Sequence, residues 1–209
     1  MNLKKLVKHK RAIVGIEAAI VLIAFIIIAA ALSYVVVNMG FYTTQKTKET
    51  MSSGVEESLA ALQLDGVVTG KTNATNYIEY VAFPVKLSVG KANLDLKDES
   101  VIVSVYLSNA TLMNIYEGSV STDNATWDDL ITTLGLGSDE AKFAIYNDDG
   151  DSVLESTEKA FLMIRLGAGH RIADYEAVKI EVKASKGAAL TVARTAPGGM
   201  PASSFVDLG

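Results

Sequence analysis

The sequence predicts an α+β protein: one long N-terminal hydrophobic helix followed by an all-β sandwich or barrel domain. Three observations carry this. From Ala18 to Val37 the chain runs for twenty residues without a charge, and only Ser33 and the Tyr34 hydroxyl are polar. Such a run is long enough to cross the hydrocarbon core of a bilayer as a helix. It is apolar on every face, so lipid or other helices must cover it all round. Beyond it, Met51, Val55, Leu59 and Leu62 follow at spacings of four, four and three, an amphipathic helical stripe. From Val67 onward the hydrophobic pattern changes to period two, in short segments separated by Gly, Asn and Asp turns.

The chain starts with a basic stretch. Lys4, Lys5, Lys8, Lys10 and Arg11 all precede the apolar run. The positive-inside rule keeps residues 1–12 cytoplasmic and sends the C-terminal body outside. A secretory signal peptide would show a shorter apolar region closed by a small-residue cleavage site. Here the run is longer and no such site closes it; the small residue next to the charges is Ala12, ahead of the run. This layout fits a peptidase that clips the basic leader and leaves the helix on the mature chain. Phe41 and Tyr42 continue the helix. Gly40 and Gly54 weaken it by up to about 1 kcal/mol each and are candidate bend points, and Asp65-Gly66 is the expected stop. The expected organisation is therefore a removed leader over 1–12, a helix over 13–65 and an outer β-domain over 66–209.

Candidate strands are Tyr77–Val89, Val101–Leu107, Leu112–Tyr116, Lys142–Tyr146, Ala160–Leu166, Ala177–Ala184 and Ala188–Thr195. The clearest is in Ala177–Ala184, where Val178, Ile180 and Val182 alternate with Lys179, Glu181 and Lys183. Pro84 inside the first of them points to an edge or a bulge. Thr126–Leu134 reads as a short helix. About seven short strands with such turns suit an immunoglobulin-like sandwich or barrel.

Composition narrows function. The chain of 209 residues has no cysteine, so it offers neither disulfides, nor a thiol nucleophile, nor a cysteine zinc site. Formal net charge is -5, and without residues 1–12 the remainder holds 14 basic against 24 acidic side chains. An acidic body is a poor ligand for nucleic acid. His9 lies in the leader and His170 sits in a turn between Gly169 and Arg171. No nucleophile–base pair can be assembled, and no enzyme activity is expected.

The sharpest local motif runs from Asn147 to Glu158, NDDGDSVLESTE. Counted as a twelve-position calcium loop, it places Asn147, Asp149, Asp151, Glu155 and Glu158 at the oxygen-donor positions, and the carbonyl of Val153 at the seventh. Ser152 stands where an EF-hand has Gly, and the flanks read as strands, so this is a calcium loop between strands or else a solvated acidic turn. Three Asn-Ala-Thr sequons, at Asn73, Asn109 and Asn124, are candidate glycosylation sites in the outer domain.

Both ends of the chain resemble one family. Lys10-Arg11-Ala12, then Ile13-Val14-Gly15-Ile16-Glu17 and an apolar helix, resembles the class III leader of type IV pilins and archaeal flagellins. Near the other end, Gly187-Ala188-Ala189-Leu190-Thr191-Val192-Ala193-Arg194-Thr195-Ala196-Pro197 is similar to the C-terminal strand of archaeal flagellins, which pilins of other branches lack. The acidic turn followed by Val-Leu-Glu fits the same family. The resemblance implies cleavage between Ala12 and Ile13, although Ala12 stands where the family usually has Gly. Glu17 becomes the fifth mature residue, and Ile13 and Glu17 serve assembly. It also implies a homopolymer through the helices, a prepilin-type leader peptidase, a membrane platform with its ATPase, and a glycosylated, extracellular filament whose precursor is a single-pass membrane protein.

Physical chemistry supports part of this. Keeping the large side chains between Ile16 and Val37 from water is worth on the order of 20 kcal/mol. Moving them from lipid into a helix bundle gains almost nothing hydrophobically, so assembly leans on close packing and external work. The expected function is a structural subunit of the archaeal motility filament. An archaeal adhesion pilin and a monomeric, membrane-anchored calcium-binding module are the alternatives.

Overall fold

The computed structural model describes residues 3–58, 61–88, 93–123 and 126–209, with side chains in the first helix from residue 15. The chain divides into two compact units, residues 1–53 and 54–209. Helix α1 runs over Leu3–Ser58, 56 residues, or roughly 84 Å at 1.5 Å per residue. It contains no proline, and six of its Ser and Thr hydroxyls are satisfied within the helix. Ser33 donates to the Ala29 carbonyl, Thr43 to Met39 and Thr44 to Gly40, each at 2.8 Å. Thr47, Thr50 and Ser58 do the same one turn back. These side chains therefore carry no unmet donor into an apolar setting.

The helix ends earlier than its stripe suggests. Leu62, expected as its last apolar position, belongs instead to strand β1 (Leu62–Leu64). Leu62 is buried while Met51 and Val55 are exposed, so sheet packing outweighs the helical spacing. The remaining strands are β2 (Thr69–Thr72), β3 (Ile78–Leu87), β4 (Asn93–Asp95), β5 (Val101–Tyr106), β6 (Thr111–Leu112), β7 (Tyr116–Ser121), β8 (Glu140–Tyr146), β9 (Val153–Glu155), β10 (Lys159–Arg165), β11 (Ala177–Ala184), β12 (Leu190–Thr195) and β13 (Phe205–Asp207).

They form a seven-stranded sheet in the order β13-β2-β3-β10-β8-β7, with β1 also on β3. A four-stranded sheet runs β12-β11-β5-β6, and β4 pairs β9 in a separate ribbon. The main core lies between the two larger sheets. It takes Val81, Phe83 and Val85 from β3, Phe143 and Ile145 from β8, Val103 and Val105 from β5, and Ile180 and Val182 from β11. Period-two alternation in β11 places every second residue there, as its sequence requires.

Pro84 sits within the long central β3, not on an edge. β1 pairs β3 at Val85–Leu87 and β2 pairs it at Ile78–Ala82, so Pro84 falls at the handover between them. Its carbonyl accepts from Asp65 N–H at 3.0 Å. A strand residue aims its N–H and C=O to the same side, so the missing donor faces this gap and costs no ladder bond.

The candidate strand Leu112–Tyr116 is a crossover. Leu112 pairs with Val105 in the four-stranded sheet, and Tyr116 pairs with Ala141 in the seven-stranded one. Between them Asn114 takes φ 50°, a left-handed conformation that ends a strand and that Asn tolerates.

Helix α2 (Trp127–Leu134) forms as expected. Thr126 accepts from Asp129 N–H as the N-cap, Asp128 and Asp129 occupy the first turn, and Gly135 closes the helix at φ 51°. Leu130 and Leu134 cover Ala82, Ala144 and Met163 on the outward face of the larger sheet.

Phe143 is fully buried and meets Tyr116 edge-on at 5.6 Å between centroids. Phe143→Ala is expected to destabilise the β-domain by about 3–5 kcal/mol. Met113→Ala, at an exposed site, should stay within about 0.5 kcal/mol. Denaturant unfolding of dissociated subunits, followed by circular dichroism, measures both.

Candidate functional site

The largest chemical feature of the chain is the surface of α1. From Ile16 to Met39 every large apolar side chain is between 51 and 72 % exposed. Exposed apolar patches above a few hundred Å² mark interaction or membrane surfaces, and this one encircles the helix. An added Cβ at Gly15, Gly40 or Gly54 would meet nothing, so these positions leave close-approach surface free. Glu17 is exposed amid this surface, and no ion pair to it occurs among the described residues. Ala12 and Ile13 lie within α1, with their side chains outside the described set.

The acidic turn joins β8 to β9, strands as the flanks suggest. Asn147, Gly150 and Ser152 have φ of 60°, 98° and 63°. Ser152 thus adopts the left-handed conformation that glycine favours. Asp148, Asp149 and Glu158 each bring a carboxylate oxygen within 4.8 Å of the others. Asp149 and Glu158 belong to the set read from the sequence, whereas Asp148 falls at a non-donor position of the twelve-position count. Oδ1 of Asp148 is buried with no hydrogen-bond partner.

Glu158 is 6 % exposed, and its Oε2 accepts from Glu155 N–H at 2.9 Å. Asp151 Oδ1 accepts from Val153 N–H at 2.7 Å, which braces the turn. Asn147, Asp151 and Glu155 have exposed side chains, and Asn147, Asp151, Val153 and Glu155 are not part of the three-carboxylate cluster.

Two of the three sequons lie in described structure; Asn124 is outside the described residues. Asn73 Oδ1 accepts from Thr75 N–H at 2.9 Å, Thr75 Oγ1 at 2.9 Å and Tyr77 N–H at 3.1 Å. This Asx turn fixes the amide by its oxygen. Asn109 instead donates through Nδ2 to the Gly169 carbonyl at 3.2 Å.

That carbonyl belongs to a clamped turn. Asp139 Oδ1 accepts from Gly167 N–H at 2.8 Å and lies 3.0 Å from His170 Nδ1. Burial acts to raise the Asp139 pKa, but the Gly167 N–H, His170 and Ser138 outweigh it and hold the carboxyl below its ordinary range. Beside it, Glu79 receives both Arg165 at 3.3 Å and Arg171 at 3.0 Å. His170 is thus a packing partner in a turn. Among the described residues it has no nucleophile beside it.

A helix apolar on all sides from Ile16 to Met39, joined to a β-rich domain, defines a class of protein whose helix must be covered by lipid or by other helices. The chain belongs to the archaeal-type flagellin family, whose model matches residues 12–194. It is 40% identical over 205 residues to probable flagellin 1 of Aeropyrum pernix, covering 97% of this chain and 100% of that one. It is 32% identical to probable flagellin 2 of Archaeoglobus fulgidus, covering 93% of each.

Among solved structures, the archaeal flagellum of Methanospirillum hungatei matches with TM-score 0.57 and 26% identity, over 88% of this chain and 94% of that one. The flagellin crystal structure from Methanocaldococcus jannaschii shares the fold, with TM-score 0.58 and 19% identity over 70% of this chain and 95% of that one. The protein is a structural subunit of the extracellular archaeal flagellar filament.

The clamp around Asp139 has a pH signature. A carboxyl whose folded pKa is depressed contributes stability that is present above its unfolded pKa, near 3.9, and is lost as pH falls through the folded value. Asp139→Asn is expected to flatten this acid limb and to lower stability at pH values above it. Melting temperatures of dissociated subunits between pH 2 and 7 measure it.

Proposed function

We propose that the precursor inserts into the membrane through α1, is clipped after Ala12 by a prepilin-type leader peptidase, and begins as a mature chain at Ile13. A membrane platform and its ATPase then pack it into the motility filament, with helices inside and β-domains outside. The observation that carries this is the apolar surface of Ile16–Met39, exposed on all faces. Water is never its resting place, lipid suits the precursor, and neighbouring helices suit the product. The role is structural, without catalysis.

Cleavage creates a new α-amino group with an ordinary pKa near 8. A carboxylate enclosed among helices must be paired, so Glu17 meets the Ile13 amine of a neighbouring subunit. Mass spectrometry of purified filaments is expected to find Ile13 at the N-terminus; Met1 there would overturn the account. Glu17→Gln should leave cleavage intact while lowering the yield of filaments. The same spectra read the glycans. Asn73, held by its oxygen beside an exposed turn, is an expected acceptor, as are Asn109 and Asn124.

The acidic turn fits a hard cation. Its orphaned Asp148 oxygen and the convergence of three carboxylates supply the oxygen donors that calcium takes. Asp148, Asp149 and Glu158 would hold the ion, and Asn147, Asp151, Glu155 and the Val153 carbonyl belong to the same turn. Calcium there would relieve the like-charge repulsion and tie the turn to β10. Calcium is expected to raise the melting temperature of the wild-type subunit and not that of Asp149→Ala. An equal response in both would remove the site.

A further inference from the structure

Two features of the β-domain lie at opposite ends of the same strand. The chain enters β5 from the turn at Lys97–Ser100, which adjoins the β4–β9 ribbon. Leu96 N–H donates to the Ser152 carbonyl at 3.0 Å, Ser100 N–H to Lys97 at 2.9 Å, and the Tyr116 hydroxyl donates to the Leu96 carbonyl. Asp98, Glu99, Asp151 and Glu155 are exposed on this lobe, and Lys97 is the one basic residue within 93–99 and 147–155. No ion pair to any of these carboxylates occurs among the described residues.

The chain leaves β5 at Tyr106 into an open groove of about 640 Å³. Its walls include Tyr106, Leu107, Lys179, Ala193, Arg194 and Thr195. Lys179 lies 5.1 Å from the Tyr106 ring centre and only loosely near Glu181, at 3.7 Å. Arg194 donates through Nε to the Gly209 oxygen and through Nη1 to the Ala193 carbonyl. The nearby carboxylate of Glu176 is occupied by the Ser108 hydroxyl and by Ala173 N–H. One end of β5 is thus acidic and exposed, and the other opens into a groove whose charged lining residues are Lys179 and Arg194.

We infer that the acidic lobe of one β-domain seats in the Tyr106–Lys179–Arg194 groove of the next copy in the filament. The contact joins unlike surfaces, head to tail. Such a heterologous interface propagates without limit when its rotation does not close a ring, which is the symmetry a filament needs. Charge complementarity of this kind fixes register and orientation more than it adds affinity. The inference rests on the chain's filament role and adds which surfaces of the outer domain meet.

The absence of native cysteine makes the test direct. Lys179 is opposite Tyr106, whereas Glu99 precedes Val101 by two residues at the far end of the strand, so the two sites are about 20 Å apart within one chain. A disulfide between them within a chain is excluded, since its Cα atoms must lie within about 7 Å. Filaments of the double variant Glu99→Cys, Lys179→Cys are oxidised and dissociated in denaturant without reductant. A ladder of covalent multimers, absent from both single variants, is the expected result. Normal filaments that yield only monomer would overturn the inference and leave the filament role untouched.

Should the double variant not assemble, native filaments treated with a carbodiimide give the same decision. A peptide joining Lys179 to a lobe carboxylate supports the contact. Linkage of Lys179 to other partners only, or to none, overturns it.

Discussion

The controlling constraint is the surface of α1. From Ile16 to Met39 the helix shows Ile, Leu, Val and Phe on all sides; this stretch has no stable state in water, and no face of it is spared for a solvent-exposed role. Everything else about the chain is compatible with carrying such a helix from one apolar setting to another. On the proposed route the basic stretch before it would orient it in the membrane. The hydroxyls of Ser33, Thr43, Thr44, Thr47, Thr50 and Ser58 are satisfied by the helix's own carbonyls, so these hydroxyls can be enclosed without an unmet donor. Glu17 is the exception: enclosed among helices, its carboxylate would need a partner, which the proposed cleavage before Ile13 would supply.

The β-domain meets a different demand. It must stay folded in the open, without disulfides, and present one fixed surface to its neighbours. Two sheets enclose one core, and α2 seals a second, smaller cluster on the outside of the larger sheet. Loops are fixed by side-chain clamps: Asp139 on Gly167 and His170, Glu79 on two arginines, and Thr72 on the Pro201 and Ser204 carbonyls. The acidic turn is braced through Asp151 and Glu158 in the same manner. Rigid connections of this kind let an outer domain transmit contact geometry along a polymer.

Much of this was legible in sequence, for reasons that differ by element. The apolar run and the alternation in β11 are strong periodic signals set by solvent. Helix α2 announces itself through Thr126, its early aspartates and Gly135. The misread elements are those where tertiary pairing decides. Leu62 continues a helical spacing yet is taken by the sheet, and Leu112–Tyr116 looks like one strand but serves two sheets. Strands such as β2, β4, β9 and β13, of three or four residues, are too short to show a period. That Asp148 converges with Asp149 and Glu158 escaped a count built on spacing alone, since the turn passes through positive φ at Asn147, Gly150 and Ser152.

Within the filament itself, the claim that α1 exchanges lipid for copies of itself is open to direct observation. A reconstruction of purified filaments by electron cryo-microscopy is the most direct measurement. The account predicts a lipid-free axial core of α-helices built from residues 13–58, with Glu17 beside the first residue of a neighbour, surrounded by β-domains. A core occupied by β-domains, helices facing solvent, or a helix starting at Met1 would contradict it.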